Sequence, residues 1–151
     1  MRGWELTRLL KRDWQTRRFF RGVYSCDRLP KTLKLGDACH AFIINLDPIT
    51  KPGSHWVGLY IDFFGRAVYF DPFGIGPFQH DIYNFIKANS FTLTVNHVVL
   101  QNFQSRNCGL FCVYFIKEMC RGRTLPQIVA KFNHHHTTLN DRFLKHLLKL
   151  W

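Results

Sequence analysis

Along residues 4–20, Trp4, Leu6, Leu9, Leu10 and Trp14 recur about one helical turn apart, with Lys11, Arg12, Arg17 and Arg18 between them. That period predicts an amphipathic basic helix or helix pair occupying residues 1–21. Gly22 to Pro30 carries no period and reads as an irregular, turn-bearing link. The apolar run within Ala38 to Leu46 predicts a buried strand, closed by Asp47-Pro48. Residues 55–62 alternate as a strand, and Phe63-Phe64-Gly65-Arg66 makes a hairpin-like turn into a second strand over 67–71. Pro72-Phe73-Gly74 stops that strand. Residues 78–88 predict a short helix with Ile82, Phe85 and Ile86 inward, and Thr92 to Leu100 is β-branched and strand-like. An apolar helix follows Cys108, another opens near Pro126, and a last one runs from about Asn140 to Trp151. The order α-β-β-β-α-β-α-α-α predicts one α+β domain over 1–151, with a largely antiparallel sheet flanked by helices. Its parts are the basic helix, a core over 38–120 and C-terminal helices over 124–151.

Composition narrows the partners more than the fold. The chain has 151 residues, 46% of them hydrophobic, enough to enclose a core and too apolar for a disordered tail. No apolar run reaches the ~18 residues of a membrane span, and the start turns charged again at Glu5 before a signal-peptide core can form. The expectation is an unsecreted cytosolic or nuclear monomer with no membrane contact. Cysteines at 26, 39, 108, 112 and 120 form no disulfide framework and are expected to be reduced thiols. A formal net charge of +11 favours a polyanion such as DNA or RNA, or else marks a basic surface without a dedicated partner.

The candidate chemistry centres on Gln101 to Cys112, where a polar, turn-prone run ends in Cys108-Gly109 and an apolar segment begins. This pattern delivers Cys108 to the first turn of a buried helix, whose dipole and free N–H groups favour the thiolate. A cysteine on an apolar helix also fits simple packing, as read for Cys112 and Cys120, so partners decide. His55 begins one strand of the hairpin and Asp71 ends the other, which antiparallel pairing brings side by side. A carboxylate there can orient an imidazole and support its charged form. Gln101, seven residues before Cys108, offers an amide donor to an oxyanion, with the Cys108 N–H as the second donor. Gly109 fits a crowded site in which a side chain would obstruct substrate. His134-His135-His136 is read as a solvated basic loop rather than a metal site, because adjacent residues point in different directions.

Taken together, His55-Trp56 before a strand, then Tyr69-Phe70-Asp71-Pro72-Phe73-Gly74, then Gln101 separated by six residues from Cys108-Gly109-Leu110-Phe111-Cys112, closely resemble the adenovirus endopeptidase (adenain) family of cysteine proteases. More distantly they resemble the proteases that process ubiquitin-like modifiers such as SUMO. Residues 21–30 look like that family's entry segment, and the resemblance covers roughly residues 20–120 without large insertions. It implies a papain-like or adenain-like fold with Cys108 as nucleophile, His55 as general base and then acid, Asp71 orienting His55, and Gln101 in the oxyanion hole. Asp71 stands where adenovirus enzymes carry Glu and the SUMO-protease relatives carry Asp. Trp56 would wall the site, with Gly53 and Asn107 as further substrate contacts.

The implied function is an endopeptidase cutting near small residues such as Gly in viral or virus-like structural precursors, in a host nucleus or cytoplasm or inside a virion. The sequence requires no cofactor, although family members use DNA and an activating viral peptide. Two departures stand out: the chain ends sooner after the cysteine helix than adenovirus enzymes do, and residues 72–100 hold no cysteine for a disulfide-linked peptide. A protease for ubiquitin-like modifiers and a basic nucleic-acid-binding protein with a degenerate protease fold are the alternatives.

Overall fold

In a computed structural model describing residues 1–31, 33 and 38–151, five strands form one sheet with helices on both faces. Helix α1 (Gly3–Arg12) precedes β1 (Phe20–Ser25), then β2 (His40–Asn45), β3 (Trp56–Ile61) and β4 (Arg66–Phe70). Helix α2 (His80–Asn89) leads to β5 (Thr92–Val95), followed by α3 (Cys108–Cys120), α4 (Leu125–Val129) and α5 (Thr137–Leu148). Spatial order follows chain order, β1 to β5.

Side chains alternate across the sheet and are covered on both sides. Phe42 and Ile44 of β2, Val57, Leu59 and Ile61 of β3, and Ala67 and Tyr69 of β4 pack with Ile82, Phe85 and Ile86 of α2. Ala41, Ile43, Tyr60 and Phe70 turn the other way, onto α1 and α3 and the helices beyond. Double coverage explains why β2 reads as a continuous apolar run instead of an alternating one.

The antiparallel expectation holds for β2, β3 and β4, whereas β1 joins β2 and β5 joins β4 in parallel. Each outer strand is reached by a crossover, through residues 26–39 on one side and α2 on the other, and such returns favour parallel pairing. Strand β1 lies where an irregular link was expected; its register slips between Phe20 and Gly22, a bulge that hides the strand's period. Helix α1 buries Leu6, Leu9 and Leu10 as its stripe requires, but stops at Arg12. Trp14, beyond its end, is exposed, and so is Trp4 within it, which lies under the Arg8 guanidinium at 5.3 Å. Strand β5 ends at Val95, short of the expected Leu100, because Asn96 turns aside to bond Asp71.

Helix α3 is buried along almost its whole length. Its Phe115 ring stacks on Phe70 at 4.8 Å and lies over Gly58. A Cβ on Gly58 would stand 2.6 Å from Phe115 Cδ1. Lys117, buried in the last turn, donates to Asp13 Oδ2 at 2.8 Å, and Arg121 donates to the same oxygen at 2.7 Å. Burial works against the Asp13 carboxylate, but these partners, Lys117 foremost, hold its pKa below the ordinary value. The cluster fastens the end of α1 to the far end of α3.

Gly58 is thus a slot for an aromatic ring. Gly58→Ala should cost about 1–3 kcal/mol by overpacking, read as a lower urea midpoint with an unchanged slope. A neutral result would show that α3 is free to shift on the sheet.

Candidate active site

His55 stands just before β3 and Asp71 just after β4, and the register pairing Gly58 with Phe70 brings the two together. The turn between these strands is the expected hairpin, with Gly65 at φ +80 and the Asp62 N–H donating to Arg66 O. His55 Nε2 and Asp71 Oδ1 are 2.8 Å apart, with side-chain exposures of 12% and 1%. Asp71 is locked in turn. Its Oδ1 also accepts the Phe73 N–H at 2.8 Å, its own N–H donates to Asn96 Oδ1, and Asn96 Nδ2 donates back to its carbonyl.

Cys108 is the first residue of α3 and 8% exposed. Its thiol hydrogen-bonds the His55 ring; with Nε2 held by Asp71, the nitrogen available is Nδ1. Burial opposes the thiolate, yet His55 and the backbone N–H groups of Trp56 and Gly109 bring the Cys108 pKa below the ordinary value. Burial likewise opposes the imidazolium, but hydrogen bonds to Asp71 and Cys108 push His55 up to about 9. The two shifts converge on a thiolate–imidazolium pair. Burial raises three other thiols: Cys112 goes well above the ordinary range, Cys120 to about 12, and Cys26 rises too. The packing role expected for Cys112 and Cys120 agrees with this contrast.

Gln101 reaches the site but is already engaged. It is buried, and its Nε2 donates to Ser105 O at 3.0 Å and to Ser105 Oγ at 3.1 Å, while Oε1 has no hydrogen-bond partner. An oxyanion would therefore have to take the place of Ser105 Oγ. A cleft of about 670 Å³ opens over the thiol, lined among others by Gly53, His55, Trp56, Gln101 and Cys108. Gly53 needs its positive φ of +94, and a Cβ there would meet Asn45 Nδ2 at 2.8 Å. Trp56 Nε1 donates to Met1 O at 3.1 Å, bringing the N-terminal segment into the wall.

Two expected roles are corrected. Asn107 is not among the cleft-lining residues; its Nδ2 donates to Asp141 Oδ1 at 2.7 Å and ties α5 to the start of α3. Gly109 does not clear a path for substrate. A Cβ on it would stand 2.9 Å from Leu6 Cδ2, so it lets α1 lie against α3.

Several positioning residues escaped the sequence reading. Asp141 Oδ2 accepts the Asn102 N–H, and buried Asn140 donates to Leu100 O, so α5 clamps both ends of the Gln101–Cys108 loop. Their signal was adjacent polar residues on the inner face of an amphipathic helix, which an unpaired terminal helix does not require. Phe73 stacks on His55 at 4.8 Å and Phe103 on Phe73 at 5.3 Å, an aromatic row running outward from the imidazole. The three histidines at 134–136 curl over Asn133, whose Oδ1 accepts the His135 and His136 N–H groups. Among the described residues, no group of three or more His, Cys, Asp or Glu side chains is placed to hold a metal ion.

The α+β sheet with a buried helix that begins at the thiol is similar in fold to a solved cysteine protease. One solved structure, a viral protease, supports this at the level of fold alone. No family model and no curated protein matches the chain. Among solved structures, the ASFV pS273R protease superposes with a TM-score of 0.50 at 18% identity, covering 69% of this chain and 42% of that one. AvrA with IP6 and CoA gives 0.48 at 14% identity, over 77% of this chain and 47% of that one. The central domain of Lpg1148 from Legionella pneumophila gives 0.49 at 13% identity, over 99% and 97%. The chain spans less than half the length of the ASFV protease.

The opposed shifts make a test. Iodoacetamide should alkylate Cys108 with a midpoint below that of an ordinary thiol, reaching its plateau while His55 is still protonated, below about 9. Asp71→Asn removes the support of the imidazolium, so the midpoint should move to higher pH. Site-resolved mass spectrometry across the pH range reads both, and an unmoved midpoint would separate Asp71 from the pair.

Proposed function

We propose that the chain is a cysteine endopeptidase of adenain type, acting near small residues such as Gly in viral or virus-like structural precursors. The observation that carries this reading is the convergence of Cys108, His55 and Asp71, with the thiol's pKa lowered and the imidazole's raised. In this reading the Cys108 thiolate attacks a peptide carbonyl, and the oxyanion takes up the Cys108 N–H, which has no intrahelical acceptor at the helix start, together with Gln101 Nε2. His55 then protonates the departing amine, leaving an acyl-enzyme. Water then gives a proton to His55 as it attacks the thioester carbonyl, which expels the Cys108 thiolate, releases the acid product and restores the thiolate–imidazolium pair. Gln101 keeps one N–H on Ser105 O and turns the other from Ser105 Oγ to the substrate oxygen.

The reading extends to a polyanion as stimulator and to a monomer working in a host nucleus, cytoplasm or virion. The net charge of +11 and the exposed Arg8, Lys11 and Arg12 of α1 support a DNA contact. Asp rather than Glu at position 71 favours a second reading, a protease for ubiquitin-like modifiers, with the same machinery.

Gly-containing capsid-like peptides and a SUMO-derived probe, each with and without DNA at graded salt, separate these readings. Cys108→Ala should abolish acyl-enzyme formation. Gln101→Ala should lower kcat about 10²–10³-fold, and Asp71→Asn about 10²–10⁴-fold. Probe labelling that survives Cys108→Ala, or salt-sensitive DNA binding without hydrolysis under any condition, would overturn the endopeptidase.

A further inference from the structure

The cleft over Cys108 is unusual in its charges. Two arginines line it, Arg2 from the segment leading into α1 and Arg106 from the loop two residues before the nucleophile. Among the described residues, no Asp or Glu lines it. Three carboxylates on the elements around it already have partners. Asp71 is buried and bonded to His55 and the Phe73 N–H, Asp141 holds Asn102 and Asn107, and Glu5 accepts the Arg2 backbone N–H from outside the lining. Neither Arg2 nor Arg106 forms a salt bridge among the described residues, whereas Arg66, Arg121 and Arg123 each lie on a carboxylate. In so basic a chain an unpaired arginine is ordinary on the outer surface. Here two of them share a concave site with an imidazolium, where water screens charge less than on an open face.

We infer that the cleft selects an acidic polypeptide, one carrying an Asp or Glu side chain close to the bond that is cut. This deepens the protease reading and rests on it. An extended peptide passing Trp56 and Gly53 towards Cys108 lies between the N-terminal segment and the Gln101–Cys108 loop, which places one arginine on each of two separate walls-forming segments. A carboxylate meets a planar fork of donors at Arg106 or Arg2, the geometry that suits guanidinium groups to bidentate pairing. A Lys or Arg in the same place would face like charge and be rejected, so the selection has a repulsive as well as an attractive half. The aromatic row of Phe73 and the 74%-exposed Phe103 borders the same cleft and offers a flat apolar surface beside the charges.

The test has two arms. In the first, fluorogenic peptides with Gly at the cleaved position carry Glu, Gln or Lys at each of the two flanking positions on either side. Wild-type kcat/KM should favour Glu over Gln by about tenfold at one position or more, with Lys poorest, and the preference should shrink as salt rises. Arg2→Gln with Arg106→Gln should bring the Glu-to-Gln ratio towards one, and Arg106→Glu should turn the preference towards Lys. Hydrolysis with no Glu preference, or a ratio unchanged in these variants, overturns the inference while leaving the endopeptidase standing. In the second arm, Cys108 is alkylated with anionic iodoacetate and with neutral iodoacetamide. His55 attracts the anion in every variant, so the readout is the fall in the iodoacetate-to-iodoacetamide rate ratio between wild type and the double glutamine variant. That ratio decides the question even where no peptide is cut: a fall of severalfold supports the anion-selecting cleft, and no change overturns it.

Discussion

The seating of α3 on the sheet is the contact on which the site depends. Phe115 fits over Gly58 and stacks on Phe70, which fixes the helix along β3 and β4. The same two strands carry His55 and Asp71 at their adjoining ends. Sliding the helix by one residue would move Cys108 about 1.5 Å from the imidazole, more than a hydrogen bond to sulfur tolerates. At the other end of α3, the buried Lys117–Asp13 pair opposes such a slide. Its role is registry, because a buried ion pair contributes little net stability but is costly to pull apart. Gly109 continues the logic by letting Leu6 of α1 approach the first turn.

Electrostatics within that frame follow from which buried groups have partners. Burial alone raises a thiol, as at Cys112 one turn further along the same helix. Cys108 departs from it because His55 and two backbone N–H groups face the sulfur. His55 in turn holds a proton up to about 9 because Asp71, itself fixed by Phe73 and Asn96, and Cys108 both favour its charged ring. The chain is one series of hydrogen bonds, each donor set by the next, from Asn96 to the sulfur.

Much of this was legible from residue order, for identifiable reasons. The β3–β4 hairpin carried an alternating pattern and a glycine turn, so the proximity of His55 and Asp71 followed from local geometry. Cys108 at a helix start followed from the change from polar to apolar at one residue. What stayed hidden depends on partners remote in sequence. Strand β1 was masked by its bulge at Gly22, and the parallel direction of both outer strands is set by crossovers, not by the strands' own residues. Asn107 was read towards substrate because it adjoins Cys108, yet its amide belongs to Asp141, 34 residues away. Gly109 was read towards the cleft for the same reason, and the space above it belongs to Leu6. Adjacency to a nucleophile says little about which side of the helix a neighbour serves.

Helix α1 unites features that looked unrelated in the sequence. Its inward leucines cover the first turn of α3, and the segment before it reaches Trp56 through the Met1 carbonyl and lines the cleft with Arg2. Its outer face carries Arg8, Lys11 and Arg12 into solvent. One short amphipathic helix therefore packs against the element that bears the thiol, contributes to the cleft wall and presents positive charge outward. A force on its basic face has a direct mechanical route to the cleft, through Leu6 on Gly109 and Met1 on Trp56. If DNA binds that basic face as proposed, this route is how it would act on the site, through α1 and the short segment before it.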